Sequence, residues 1–103
     1  MIPKKVLEQL QHIGQTYKKI DEIILFGSRA YGDYSDRSDI DLAIVAPDIP
    51  AKEWLELVFE LEEDLYTLLL LDIVKFDEAS DSLKTEILKS GKVLYKAVNE
   101  KYQ

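Results

Sequence analysis

Apolar residues recur with two different periods along this chain, and the switches between them mark its elements. Over residues 3–18, Val6, Leu7, Leu10, Ile13 and Tyr17 fall on one stripe at helical spacing. Pro3 opens that helix at its first turn, where a missing N–H costs nothing. Glu22-Ile23-Ile24-Leu25-Phe26 is short and β-branched, a strand that Gly27-Ser28 breaks. Glycine and aspartate punctuate residues 28–38, which predicts a short helical turn and then a loop. Ile40 to Ala46 reads as a second strand, closed by Pro47 and Pro50. Residues 51–66 return to helical spacing through Trp54, Val58, Leu61 and Leu65, with Glu53, Glu56, Glu60, Glu63 and Asp64 on the other side. Leu68 to Phe76 is apolar enough to predict a third strand buried on both faces. A last helix is expected over 80–90 and stops at Gly91, and Val93-Leu94-Tyr95 adds a short strand or a packed tail. The order predicts an α/β (α+β) fold in two or three layers, a small mixed β-sheet flanked by helices.

The chain's 103 residues suit one domain over residues 1–103, with no internal repeat or linker. A composition of 47% hydrophobic and 32% charged residues is that of a globular chain, not a disordered one. The absence of cysteine excludes disulfides, thiolate nucleophiles and zinc–sulfur sites. Met-Ile-Pro-Lys-Lys opens no signal peptide, and the apolar run Leu68–Leu71 is far short of a membrane span, so a cytoplasmic protein without membrane contact is expected. The net charge of −7 argues against direct nucleic-acid binding and suits a cation site or a basic partner.

The candidate chemistry lies between Gly27 and Leu42. Asp39 and Asp41 head the second strand two residues apart, so both carboxylates face one side, about 6–7 Å apart at Cα. Ile40, Leu42 and Ile44 face the other side. Two like charges on one strand face repel unless solvent or a cation intervenes, and all-oxygen ligands favour a hard cation such as Mg²⁺. Gly27-Ser28, a glycine allowing close backbone approach and a serine suited to cap the turn, is a phosphate-cradle candidate. Arg29 stands either on phosphate or in a surface pair with Asp33 or Asp36. Asp72 interrupts an apolar strand, where a carboxylate is costly unless paired or bound to metal. If the third strand lies beside the second, Asp72 joins the same cluster as metal ligand or proton acceptor. The bland alternatives are a solvated strand end for Asp39 and Asp41, an edge aspartate for Asp72 and a plain turn at Gly27-Ser28. His12 reads as structural or exposed.

Gly27-Ser28, ten intervening residues and then Asp39-Ile40-Asp41 resemble the signature of the DNA polymerase β-like nucleotidyltransferase superfamily. The short length and the string Gly27-Ser28-Arg29-Ala30-Tyr31-Gly32 resemble its minimal nucleotidyltransferase (MNT) group, and Asp72 and Ser90 to Tyr95 extend the likeness. The resemblance implies a nucleotidyltransferase fold. It also implies that Asp39 and Asp41 hold Mg²⁺ on a nucleoside triphosphate, that Asp72 is base or metal ligand, and that Gly27 and Ser28 hold the β- and γ-phosphates. Tyr31 departs from the arginine often found there. Members of this group often act as the antitoxin of a toxin–antitoxin pair and adenylylate a tyrosine on an all-helical HEPN ribonuclease. The implied function is thus an ATP-dependent protein adenylyltransferase with a HEPN toxin as partner, as a homodimer or a hetero-oligomer with the toxin. The competing readings are an adenylyltransferase for a small hydroxylated molecule and a non-catalytic antitoxin acting by binding alone. Trp54, Tyr95 and Tyr102 are the expected apolar anchors for a partner.

Overall fold

The computed structural model describes residues 2–32 and 38–98. Its elements are α1 (Lys4–Thr16), β1 (Glu22–Phe26), α2 (Ser28–Tyr31), β2 (Ile40–Val45), α3 (Ala51–Asp64), β3 (Leu71–Lys75), a 3₁₀ turn (Phe76–Glu78), α4 (Asp81–Ser90) and β4 (Lys92–Lys96). The four strands form one mixed sheet in the order β3-β2-β1-β4. β1 is antiparallel to both β2 and β4, and β2 is parallel to β3. A parallel pair needs a crossover, and α3 supplies it between β2 and β3.

Strand alternation sorts the core into two layers, giving three layers of secondary structure in all. Ile23, Leu25, Ile40, Leu42, Ile44 and Leu94 point to one face, where they meet Val6, Leu10 and Ile13 of α1 and Leu57 and Leu61 of α3. Ile24, Phe26 and Ala43 point to the other face and meet Ile87 of α4, with Val74, Phe76 and Leu83 around them. Ser80 caps α4 through its hydroxyl, which accepts from the Leu83 amide at 3.2 Å. At the other end Gly91 leaves the helix in extended backbone. A β-carbon there would press on the Ile24 side chain, so glycine lets β4 turn back against β1.

The third strand departs from the expectation. It starts at Leu71, not Leu68, and lies at the sheet edge, so it is not buried on both faces. Leu68 and Leu70 stand in solvent beside the exposed Tyr66. β3 has a neighbour on one side only, and Leu68 and Leu70 lie in the turn before it. The expected partner anchors also change. Trp54 and Tyr95 pack on the core, Tyr95 with its ring against Gly14, and Tyr102 lies outside the described residues. Among the described residues no helix is long and apolar enough to cross a membrane.

Candidate active site

One end of the sheet gathers the sequence's candidates. β1 ends at Phe26, paired with Asp41, and the parallel register sets Asp41 beside Asp72. The Ile40 amide donates to the Leu70 carbonyl at 3.0 Å, fixing where β3 enters. Asp41 and Asp72 therefore point to the same face, the one covered further along by α4. The two acids stand side by side across the strand pair, close enough for Asp72 to act on the protonation of Asp41. Asp39 precedes β2 and is exposed, close enough for its charge to act on Asp41.

Gly27 shapes this end. Its φ of 73° and ψ of −157° fall in a region that is essentially glycine-only. A β-carbon at this position would run into the Asp41 carboxylate, so the glycine makes room for that acid as well as for the turn. The carbonyl of Gly27 accepts from the Ala30 and Tyr31 amides at 3.1 and 3.2 Å, closing a short turn that Ser28 begins.

Arg29 lies inside, only 5% exposed, and its Nε donates to the Ser38 carbonyl at 3.1 Å. A buried guanidinium requires acceptors, and this one fastens α2 to the residue just before Asp39. Asp33 and Asp36, its expected alternative partners, lie outside the described residues. Tyr31 is exposed on α2, and His12 is exposed on α1.

Burial raises the pKa of Asp41 above the ordinary carboxylate value, and the negative charges of Asp72 and Asp39 push it further. The Asp72 hydrogen bond and the charge of Glu86 add to the effect. Glu86 on α4 went unnoticed in the sequence. Its signal was Leu83 and Ile87 at i, i+4, which turn that helix face onto the sheet beside Asp41.

Neighbouring carboxylates of this kind suit a hard divalent cation, whose charge would offset both the burial and the repulsion that raise Asp41. Among the described residues no three acidic or histidine side chains converge tightly enough to enclose a metal by themselves. The site fits Mg²⁺, which takes one or two protein carboxylates and completes its shell with water and substrate phosphates.

The family model for polymerase β nucleotidyltransferases matches residues 8–100. The chain belongs to that family. A protein of Methanocaldococcus jannaschii, named "putative protein adenylyltransferase MJ0604", is 34% identical over 105 residues, covering 89% of this chain and 96% of the relative. A chain in the crystal structure of a toxin–antitoxin complex with AMP-PNP superposes with a TM-score of 0.70 at 28% identity, covering 88% of this chain and 73% of that one. A chain in the structure of tri-AMPylated Shewanella oneidensis HEPN toxin bound to its MNT antitoxin gives a TM-score of 0.65 at 26% identity, covering 89% of this chain and 71% of that one.

Proposed function

We propose that this nucleotidyltransferase is the antitoxin of a HEPN/MNT pair and transfers AMP from ATP to a tyrosine of a HEPN ribonuclease toxin. The observation that carries the reading is the parallel register that sets Asp72 beside Asp41. In this reading Asp72 is the proton acceptor beside Asp41, a metal-ligand candidate, and the edge position of its strand suits approach by a large acceptor. The names of the relatives support the acceptor class, since they describe a protein adenylyltransferase and an AMPylated HEPN toxin.

In this reading Asp39 and Asp41 hold Mg²⁺, with Asp72 sharing it, and Gly27 and Ser28 hold the β- and γ-phosphates. Arg29 assists the triphosphate by fixing the chain on which Asp39 stands. Bound Mg²⁺ supplies charge neutralisation on the phosphates and the leaving pyrophosphate. The tyrosine oxygen forms a bond to the α-phosphorus as the bond to pyrophosphate breaks. Asp72 takes the hydroxyl proton, and its exposure leaves it open to an acceptor arriving from outside. The acceptor protein brings its own tyrosine into line, since the described structure offers the donor half of the reaction.

The test is incubation with Mg²⁺, the protein encoded by the adjacent gene, and ATP labelled at either the α- or the γ-phosphate. Label from the α-position on the partner, with none from the γ-position, is the expected result. Label from the γ-position alone would make the protein a kinase and overturn the reading.

A further inference from the structure

The segment joining α3 to β3 combines two properties that rarely coincide, large exposed apolar side chains and a backbone pinned in place. Tyr66 is 68% exposed, Leu70 73%, and Leu68 is fully in solvent. Yet Gln9 of α1 holds the turn at two points. Its Nε2 donates to the Asp64 carbonyl at 2.8 Å, and its Oε1 accepts from the Tyr66 amide at 2.7 Å. Lys5 lies 4.1 Å from the centre of the Tyr66 ring, and the Thr67 hydroxyl accepts from the Leu69 amide at 3.0 Å. Leu65, Tyr66, Thr67 and Leu68 line an open cavity of about 530 Å³. Pre-ordered apolar surface is the kind that gains most from being covered, because little freedom remains to be lost.

Position supplies the second half. Leu70 stands two residues before Asp72, and its carbonyl is the acceptor for Ile40, between Asp39 and Asp41. Whatever covers Leu68 and Leu70 therefore lies against the carboxylate end of the sheet. The surroundings are acidic. Glu62, Glu63 and Asp64 are exposed at the end of α3, Asp39 and Asp72 at the strand ends, and the nearby cation Lys5 already covers Tyr66.

We infer that the turn of residues 65–70 is the docking platform for the acceptor protein. The partner it fits is a protein whose surface offers an apolar recess rimmed by lysine or arginine. Leu68 and Leu70 fill the recess, the basic rim faces Glu62, Glu63 and Asp64, and the acceptor hydroxyl is carried past the edge strand to Asp72. The apolar anchors supply affinity and the charges speed encounter. This inference rests on the protein-acceptor reading above, but it concerns where the partner sits and not whether transfer occurs.

The test uses the full chain and the adjacent-gene protein, with binding measured separately from chemistry. Leu68→Glu/Leu70→Glu places charges at exposed positions, so its melting temperature and its affinity for ATP with Mg²⁺ stay at wild-type values. Its affinity for the partner falls at least tenfold, and AMP transfer at sub-saturating partner falls with it. Val98→Glu, equally exposed but at the opposite end of the sheet, leaves binding unchanged and serves as control. Wild-type affinity in the Leu68→Glu/Leu70→Glu protein would overturn the docking surface. A complex that forms and is weakened by that variant, yet carries no AMP, would uphold the surface and overturn the transferase reading instead.

Discussion

At the residue scale, Gly27 and Asp41 depend on one another. The acid is held at its height on β2 because the facing position has no side chain and a backbone that other residues reach only under strain. Gly27→Ala should cost about 1–3 kcal/mol of stability from backbone strain alone. It should also displace the Asp41 carboxylate, so transfer falls more steeply than the fraction folded. Thermal melts run beside initial rates will show whether the two losses separate. Asp41 also marks the pH response. Its folded pKa is raised above the usual 3.8, so it binds its proton more tightly folded than unfolded. The stability this gives is complete below the unfolded pKa and is lost as pH rises through the higher folded value. Without ligand, the gap between Asp41→Asn and wild type should therefore widen from acid toward neutral pH. At pH 7 the variant should melt a few degrees higher. Saturating Mg²⁺ and ATP should reverse the order. A gap independent of pH would mean that the carboxylate is not strained in the free protein.

At the element scale, what was legible in the sequence was whatever a local pattern determines. The 3.6-residue spacing of Val6, Leu10 and Ile13 specifies a helix with one buried face, and the β-branched run from Ile23 specifies a strand buried on both. Alternation along β2 also predicted that Asp41 turns away from Ile40 and Leu42, as it does, while Asp39 stands just before the strand. What could not be read was pairing. Leu68, Leu70 and Ile73 are equally apolar in sequence, yet Leu68 and Leu70 fall in the turn before β3 and are exposed, while Ile73 lies in the strand and is half-buried. The placement of β3 beside β2 sets Asp72 next to Asp41, which the sequence left conditional. Tyr17 is a similar case. It was expected on the apolar stripe of α1, and it packs there, but its hydroxyl also donates to Glu60 of α3 at 2.9 Å. Tyr17→Phe should lower stability by about 0.5–1 kcal/mol, the lower range for a hydrogen bond because the contact is only partly buried. Burial, the bond to Glu60 and the charges of Glu60, Glu56 and Glu53 push the Tyr17 pKa up to about 12. Its contribution is thus full below the unfolded pKa near 10 and is lost as pH rises through about 12. The difference between the two proteins should shrink across that window in a set of urea melts. A constant difference would show that the hydroxyl does not bridge the helices.

At the scale of the whole molecule, the candidate site stands at one sheet end, and among the described residues little encloses it. Enzymes that bind small acceptors build a concave pocket around the reacting group. Here the cavity lined by residues 65–68 is open, and the carboxylates of Asp39 and Asp72 are exposed. Openness of this kind suits an acceptor that brings its own walls. The net charge of −7 adds a long-range pull on a basic partner, most effective at low salt. A protein that neutralised its partner by contact alone would have no use for Asp72 set beside a half-buried Asp41 whose pKa is raised by that burial and by the charges of Asp72 and Asp39. The measurement that separates these accounts is the intact mass of the partner after co-expression and denaturing separation, with wild type and with Asp39→Asn/Asp41→Asn. A partner heavier by one or more adenylyl groups with wild type, and unmodified and toxic with the double variant, is the outcome expected. An unmodified partner that both proteins neutralise equally would contradict catalysis and leave binding as the mechanism.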